Sequence, residues 1–566
     1  MITPADRGGS RRAISRIECL LLLLIAVAYA VPVVMCWNQG YLDFGDGNYM
    51  YISWRLSQGA VLYKDILAPQ PPLHLYIGAV IAWIGERIFP HPLWAFRTFS
   101  LLLHIATMVL VWFTARSLFV PRIGAAAVTS RAVPMAAALT YMVQPVGFWW
   151  TLGYQSQPLL IILLLGMFCC VIRNTRRGAW WGGLWGGLAL LTNMTTVPYV
   201  AFTIGWMLWR RFRRGVAFTI AALLPSAIVI PVMQFYTGAY ISNVFENQAG
   251  AFPRAEVLAQ SGETIADYVI RKIVTEGGDV LRLEGTWVAL AALGLLVYGG
   301  TARAGGRLTA ARSKIESAPG TDEIPMMETP AGSARLADRS IVQTREYALY
   351  YAFFSFCCIL FVAKGGTVDY VFSDAEPYVA LFAAPVIVWA GMFARRLWGR
   401  GPRWNDLSPL CTVFIAVVLA LSVAWPGLRF IYLTLRQETY ELPEKGTLRI
   451  VGLIKQRTAP DDLIIAPPHF AFIAQRRILD DYSEHFLWRI KYMNERLDGI
   501  DGRAVRTVEH MAQVLREKKL PFLVMDMNQT GALPEIADAL KSSYRPLRDK
   551  PLQMLNTPLQ FYAPKE

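Results

Sequence analysis

Long apolar runs separated by short basic clusters make up the chain as far as about residue 432. The first run, from Cys19 to Cys36, contains no charged residue and follows Arg16. Later runs of about 16–22 residues are long enough to cross a bilayer with modest tilt. They lie near 95–115, 132–150, 157–172, 179–192, 195–209, 216–236, 285–300, 345–363, 376–394 and 409–430. The pattern predicts a mainly α-helical, polytopic membrane protein.

Arginine-rich clusters between alternate runs predict the orientation of the helices. If all these clusters are cytoplasmic, the N-terminus is cytoplasmic too, and every run from residue 95 onward has a consistent direction. The first run continues past a cleavage-like Ala28-Tyr29-Ala30, which favours a retained helix over a signal peptide. Segment 73–89 breaks this parity if it crosses, so it is re-entrant or interfacial, or one basic cluster lies outside. We expect about 11–13 transmembrane helices.

The chain after residue 432 turns polar and mixed in charge. Residues 463–466 and 522–525 predict buried strands, and helical patterns surround them near 444–457, 485–498, 504–518 and 533–542. We therefore expect a transmembrane part, 1–432, followed by a small extracytoplasmic α/β domain, 433–566, that acts as a lid or binding module. Within the first part, 37–72 is predicted to be an outer loop and 301–344 a flexible cytoplasmic loop.

Composition excludes several classes of protein. Hydrophobic residues make up 54% of the 566 residues and charged residues only 17%, where a soluble protein carries about a quarter. The net charge of +14 fits positive cytoplasmic loops and gives no reason to expect nucleic-acid binding. All seven cysteines lie in apolar segments, which argues against disulfides and thiolate zinc sites. No nucleotide-binding glycine motif is present, and a divalent metal is left open.

Two carboxylates, Asp43 and Asp46, follow the first membrane helix in the 37–72 loop. An amphipathic helical pattern begins at Asp46, and a turn containing Lys64 follows it. A carboxylate at the membrane surface can act as a general base, and a nearby lysine can bind a lipid-linked phosphate. The alternative is that these are ordinary solvated loop residues.

The order of this loop resembles that of the GT-C glycosyltransferases, in the protein mannosyltransferase and aminoarabinose transferase branch (glycosyltransferase family 39-like). The resemblance rests on Asp46, on Gly59-Ala-Val-Leu-Tyr63-Lys64-Asp65, and on Pro71-Pro72-Leu73. One departure is Gly47, because the family often has an Asp-Glu pair where this chain has Asp46-Gly47. Another is a glutamine-containing second outer loop where an aspartate is common.

The resemblance implies roles for particular residues. Asp46 is the expected catalytic base, with Asp43 as the close alternative. The donor phosphate is expected to be bound by Lys64, Lys364 and His74. Acceptor or sugar contacts are expected from Tyr63, Asp65, Gln155, Gln157 and Tyr370.

The resemblance also implies an enzyme that moves a sugar from a polyprenyl-phosphate donor to a glycan, lipid or protein acceptor, with inversion. Its expected place is the plasma membrane of a bacterium, surrounded by membrane lipid, with the active site and the C-terminal domain on the outer side. Two alternatives stay open: a lipid or glycan transporter (a flippase), and a non-catalytic envelope assembly protein. Transporters typically show internal repeats and charges at the membrane midplane, and neither is clear in this sequence.

Overall fold

The computed structural model describes the chain in separate stretches. These are residues 16–35, 44–119, 127–144, 153–246, 284–296, 373–398, 444–481, 508–527, 533–554 and 557–566, with isolated positions at 147, 151 and within 264–278. The predicted spans 345–363 and 409–430, the predicted loop 301–344 and the predicted helix 485–498 lie outside the described residues.

Helices form most of the described chain. In the N-terminal part they are α1 Arg16–Met35, α2 Phe44–Ser57, α3 Pro72–Ile88, α4 Pro92–Phe119, α5 Ala127–Met142, α6 Gln157–Ile172, α7 Arg176–Leu190, α8 Val197–Arg210, α9 Phe212–Thr237, α10 Glu284–Leu296 and α11 Glu376–Trp398. In the C-terminal part they are α12 Glu444–Arg457, α13 Pro468–Ala474, α14 Val508–Arg516 and α15 Pro534–Ser543. The fold class predicted from the apolar runs is confirmed.

Helices α1, α4 and α9 are long and apolar enough to cross a membrane by themselves, and α5, α6, α10 and α11 contain shorter apolar stretches. α1, α4, α6, α9 and α11 begin and end within about four residues of their predicted runs, because one uninterrupted apolar run can satisfy its backbone hydrogen bonds in lipid only as one helix. The run predicted at 132–150 is too long, because α5 ends at Met142. At 15 and 14 residues, α7 and α8 are shorter, about 22 Å each.

A stripe of glycines on α7 fits it between two neighbouring helices. A Cβ on Gly187 would lie 2.5 Å from the carbonyl oxygen of Ala222 in α9. On the adjacent edge, a Cβ on Gly182 would lie 3.1 Å from the carbonyl oxygen of Met167 in α6. The pair Gly183 and Gly187 therefore packs against α9, and the pair Gly182 and Gly186 packs against α6, as small residues do in membrane bundles.

Contacts between helix ends define two faces of the bundle. Glu18 at the start of α1 pairs with Arg116 at the end of α4 at 3.5 Å. Arg214 in the first turn of α9 bonds to Asn174 just after α6. These ends carry the arginine clusters, so together they form the face predicted to be cytoplasmic. The start of α4 lies at the other face, where His91 and Pro92 border Leu448 and Lys455 of the C-terminal part.

Helix α3, which covers the problematic segment 73–89, stays on that second face. Near its start, His74 contacts Tyr49 of α2, and near its end Glu86 accepts a 2.9 Å hydrogen bond from Trp54 of α2. It thus runs alongside α2, with contacts to that helix near both of its ends. Its outward stripe is apolar and exposed, as suits a helix at the membrane surface. The stripe consists of Tyr76, Val80, Trp83, Ile84 and Ile88.

The described residues of the C-terminal part form helices and two small sheets. Its strands are β1 Leu463–Ile464, β2 Arg477–Ile478, β3 Leu523–Asp526, β4 Tyr544–Pro546, β5 Leu552–Met554 and β6 Thr557–Pro564. β1 and β2 are parallel, whereas β6 pairs antiparallel with β3, β4 and β5. The predicted strands at 463–466 and 522–525 are present, while β2, β4, β5, β6 and α13 are additions that the pattern did not predict.

One hydrophobic core joins the first outer loop to the C-terminal part. It includes Ile52 of α2, Ile66 of the following turn, Phe472 of α13 and Leu523 of β3. The two regions are more than 350 residues apart along the chain, yet they bury the same apolar surface. They must therefore lie on the same side of the membrane.

Candidate functional site

Helix α2 carries the predicted catalytic base. Asp46 lies in its first turn, and Asp43 lies outside the described residues. The next residue, Gly47, is buried against His469 of α13. A helix is therefore present where the sequence predicted one, but it is not amphipathic, because every residue from Gly47 to Leu56 is buried. Its N-terminal turn is one place where the outer loop meets the C-terminal part.

The turn after α2 is a compact, hydrogen-bonded structure. Asp65 accepts a 2.7 Å hydrogen bond from the amide of Val61, so its carboxylate closes the turn. Tyr63 is buried with φ of 67°, donates a 2.7 Å hydrogen bond to the carbonyl of Gln70 and packs edge-on against Tyr240. Lys64 lies exposed between them. The turn thus presents the lysine while burying its tyrosine neighbour.

His74 lies at the meeting point of the first and second outer loops. It is 2% exposed, its ring stacks on Tyr154 with centroids 4.3 Å apart, and it hydrogen-bonds to the backbone of Gln155. Its Nε2 atom has no partner among the described residues. The Tyr154 hydroxyl in turn donates to the His74 carbonyl at 2.8 Å. Two predicted site residues, His74 and Gln155, are therefore brought together.

Gln157 begins α6 close by and is 1% exposed. Ser156 donates a hydrogen bond to it at 3.3 Å and accepts one from Asn193 at 2.9 Å. The neighbouring Leu191 carbonyl accepts from the amide of Leu73 at 2.9 Å. This set of hydrogen bonds fixes the second outer loop against the start of α3. The other two predicted residues, Lys364 and Tyr370, lie outside the described residues.

A buried acidic cluster, Glu284, Asp374 and Glu376, lies at the starts of α10 and α11. The three side chains are 0%, 3% and 0% exposed, and Glu376 accepts a 2.8 Å hydrogen bond from the amide of Gly147. The ring of His104 in α4 also borders Gly147. Burial raises the pKa of Asp374, in the turn before α11, to about 8.

The sequence analysis assigned no role to this cluster. A usable signal was present, since each of the three residues adjoins an apolar run, and acidic residues inside membrane-spanning segments are rare and usually functional. The described part of the chain contains no group of three or more His, Cys, Asp or Glu side chains that could hold a metal ion.

A cleft of about 680 Å³ opens between helices α2 and α3 on one side and the C-terminal part on the other. The end of α2 and the turn before α4 form one wall, and α12 and α13 form the other. Its lining mixes apolar groups with the polar side chains of Gln58, Glu86, His91, Lys455 and Gln475. Trp54, which also borders it, is nearly fully buried.

The fold of this polytopic membrane protein is similar to that of the GT-C glycosyltransferases, as the resemblance of the first loop predicted. Residues 70–235 match the family described as dolichyl-phosphate-mannose-protein mannosyltransferase. The match begins at Gln70, within the first outer loop, and ends in α9. No curated protein sequence matches the chain.

Among solved structures, the chain is similar to ArnT from Cupriavidus metallidurans. The structure of ArnT bound to undecaprenyl phosphate is 13% identical, with a TM-score of 0.56, and the match covers 97% of this chain and 98% of that one. The apo structure of ArnT is 12% identical, with a TM-score of 0.57 and the same coverage. At such low identity the likeness establishes the fold, and it does so over nearly the whole length of both chains.

Proposed function

We propose that this protein is a membrane glycosyltransferase that moves a sugar from a polyprenyl-phosphate donor to an acceptor on the outer face of a bacterial plasma membrane. The observation that carries the proposal is the match of residues 70–235 to a family of dolichyl-phosphate-linked sugar transferases. The undecaprenyl phosphate held by ArnT supports a donor of the same lipid class.

The proposed reaction is a single displacement. The acceptor's hydroxyl or amine attacks the anomeric carbon, and the bond from that carbon to the phosphate oxygen breaks. The electron pair leaves with the polyprenyl phosphate, so the configuration inverts. Asp46 takes the acceptor's proton, while Lys64 and Lys364 stabilise the charge on the leaving phosphate.

The family match favours an enzyme over a transporter. Glu284, Asp374 and Glu376 do not separate the two, because Glu376 binds the amide of Gly147, which borders His104 in the middle of α4. Gln155 and Gln157 lie within the same set of outer-loop contacts and are suited to hydrogen-bond a sugar or acceptor.

Transfer with radiolabelled polyprenyl-phosphate sugars in proteoliposomes tests the proposal. We expect the wild type to release free polyprenyl phosphate together with a labelled product, which neither a flippase nor an assembly protein does. Asp46→Asn keeps the size of the side chain but cannot take the proton, so transfer should fall by about 10²- to 10⁴-fold with donor binding retained. Asp43→Asn is the matched control and should cost less.

The outcomes separate the alternatives. Full activity of Asp46→Asn together with an inactive Asp43→Asn would move the base to Asp43. Full activity of both variants would refute the role of this loop. Movement of labelled lipid across the bilayer without release of polyprenyl phosphate would favour the transporter.

A further inference from the structure

The C-terminal part contacts helix α2 near both of its ends. In the first turn, a Cβ on Gly47 would lie 2.5 Å from the Cβ of His469 and 3.0 Å from its amide nitrogen. Such a separation is far below ordinary van der Waals contact, so no side chain fits there. Gly47 directly follows Asp46, and the position of this turn is therefore set by α13.

Toward the other end of α2, a buried ion pair makes the second contact. The Nε of Arg55 donates to one oxygen of Asp481 at 2.7 Å, and a terminal nitrogen donates to the other at 3.1 Å. The Tyr51 hydroxyl donates to the same carboxylate at 2.6 Å and accepts from the amide of Ile478 at 2.8 Å. Bidentate geometry of this kind fixes direction as well as distance.

Burial makes this contact strong. The side chains of Arg55 and Asp481 are 9% and 6% exposed, so solvent screens them little. Burial by itself lowers the pKa of Arg55, but the hydrogen bonds and charge of Asp481 outweigh it and raise the pKa above its ordinary value. Burial and the same carboxylate raise the pKa of Tyr51 well above its ordinary range. Both donors therefore keep their protons.

The segment that presents Asp481 has an unusual backbone. Asp480 and Asp481 have φ of 54° and 50°, in the left-handed region that non-glycine residues rarely occupy. Their carboxylates bind different elements, because Asp480 contacts the Nδ1 of His510 in α14 at 2.9 Å. Backbone in this region persists only where its surroundings hold it. These two residues thus connect α2 to the body of the C-terminal part.

We propose that the C-terminal domain positions the catalytic base, with Asp481 and His469 as positioning residues that fix helix α2 and thereby Asp46. This inference rests on the proposed function, in which Asp46 is the base. The proposal also explains why glycine follows Asp46 in this chain, where the family often has glutamate. The close contact with His469 leaves no room for a side chain at position 47.

The first experiment adds one methyl group and then removes its obstacle. Gly47→Ala should lower kcat by about 10- to 100-fold with little change in donor KM, because it shifts the base rather than the donor site. The same change made in a His469→Gly background, which removes the Cβ at 2.5 Å and leaves the backbone amide nitrogen at 3.0 Å, should cost several-fold less relative to His469→Gly alone. An equal loss in both backgrounds contradicts the proposal, since alanine would then act on Asp46 directly.

The second experiment uses a readout that does not depend on transfer. Asp481→Asn should increase hydrogen–deuterium exchange of the amides of residues 44–57, together with a fall in kcat. Asp538→Asn is the matched control, because it makes the same chemical change at an exposed position of the C-terminal part. Exchange in that variant should equal the wild type's.

Three results are decisive. Unchanged exchange in Asp481→Asn overturns the proposed contact, and faster exchange with normal kcat overturns the positioning role. A wild type that transfers no sugar overturns the proposed function, whereas the exchange measurement still decides whether the C-terminal domain holds α2. If Asp481→Asn does not fold, the Gly47→Ala pair alone decides the question.

Discussion

Gly183 lies where helices α7 and α9 pack closely together, and its replacement by alanine tests how the bundle is packed. A Cβ at this position would meet the carbonyl oxygen of Phe218, the Cβ of Ala221 at 2.6 Å and the amide nitrogen of Ala222 at 3.0 Å. Two of these three obstacles are backbone atoms, which cannot rotate away as a flexible side chain does. Alanine therefore forces the two helices apart by about an ångström, given that carbon atoms prefer separations of roughly 3.5–4.0 Å.

A matched glycine allows the steric cost to be isolated. Gly205 in α8 is exposed, and nothing lies within 4 Å of its added Cβ. Both substitutions bring the same gain in helix propensity, up to about 1 kcal/mol, so the gain cancels in the comparison. What remains is the overpacking at Gly183, about 1–3 kcal/mol. We expect Gly183→Ala to be less stable than Gly205→Ala by that amount.

The assay is denaturant-induced unfolding of both variants and the wild type in the same mixed micelles. The displacement should also reach the site, because α7 ends beside Leu191, whose carbonyl binds the amide of Leu73. Transfer by Gly183→Ala should therefore fall as well. Equal stability of the two alanine variants would refute the backbone contact between α7 and α9.

Three further predictions concern charge and topology. Lys64→Ala and Lys364→Ala should weaken donor binding with little loss of stability, and unchanged affinity in both singles and the double variant would exclude the role. A cysteine at Lys64, before α3, and one at Arg87, in its last turn, should both react with an impermeant reagent from the outer side, and one at Arg213 should not. Opposite labelling of the first two would mean that α3 crosses. Because burial raises the pKa of Asp374 from 3.8 to about 8, the folded state holds the extra proton between those values. Unfolding free energy should hence fall as pH rises through this window, and an unchanged slope in Asp374→Asn would contradict it.

Helix limits were the most predictable feature of this chain. The run predicted at 157–172 is α6, and the pattern predicted at 444–457 is α12, without a shift at either end. In lipid, an apolar run has no partner for its backbone other than itself, so the run and the helix coincide. The predicted strand at 522–525 was also close, since four apolar residues between polar ones indicate a buried strand.

The position of α3 was not predictable from its composition. Its 17 residues are about the length that crosses a bilayer, and their apolar character suits the membrane surface as well as its interior. Its contacts with other parts of the chain place it alongside α2. Near its end, Glu86 accepts a hydrogen bond from Trp54, and at its start the amide of Leu73 donates one to the carbonyl of Leu191.

The short strands of the C-terminal part were missed for a related reason. β2, β4 and β5 have two or three residues each, too few to display alternation. They exist because their partners hold them: β6 for β4 and β5, and β1 for β2. The residues of these short segments do not indicate which strands they pair with, or whether the pairing is parallel or antiparallel.

The sequence by itself determined the membrane class, the order of the helices and the loop that carries Asp46, because apolar length and local motif are properties of neighbouring residues. Only the tertiary structure decided that Asp481, 426 positions after Arg55, holds the helix of that loop, and that Glu284 and Glu376 share one buried cluster. Such contacts depend on how the chain returns to the same face of the membrane. The stabilising free energy of these long-range contacts comes from burial and geometry, which a local sequence pattern does not indicate.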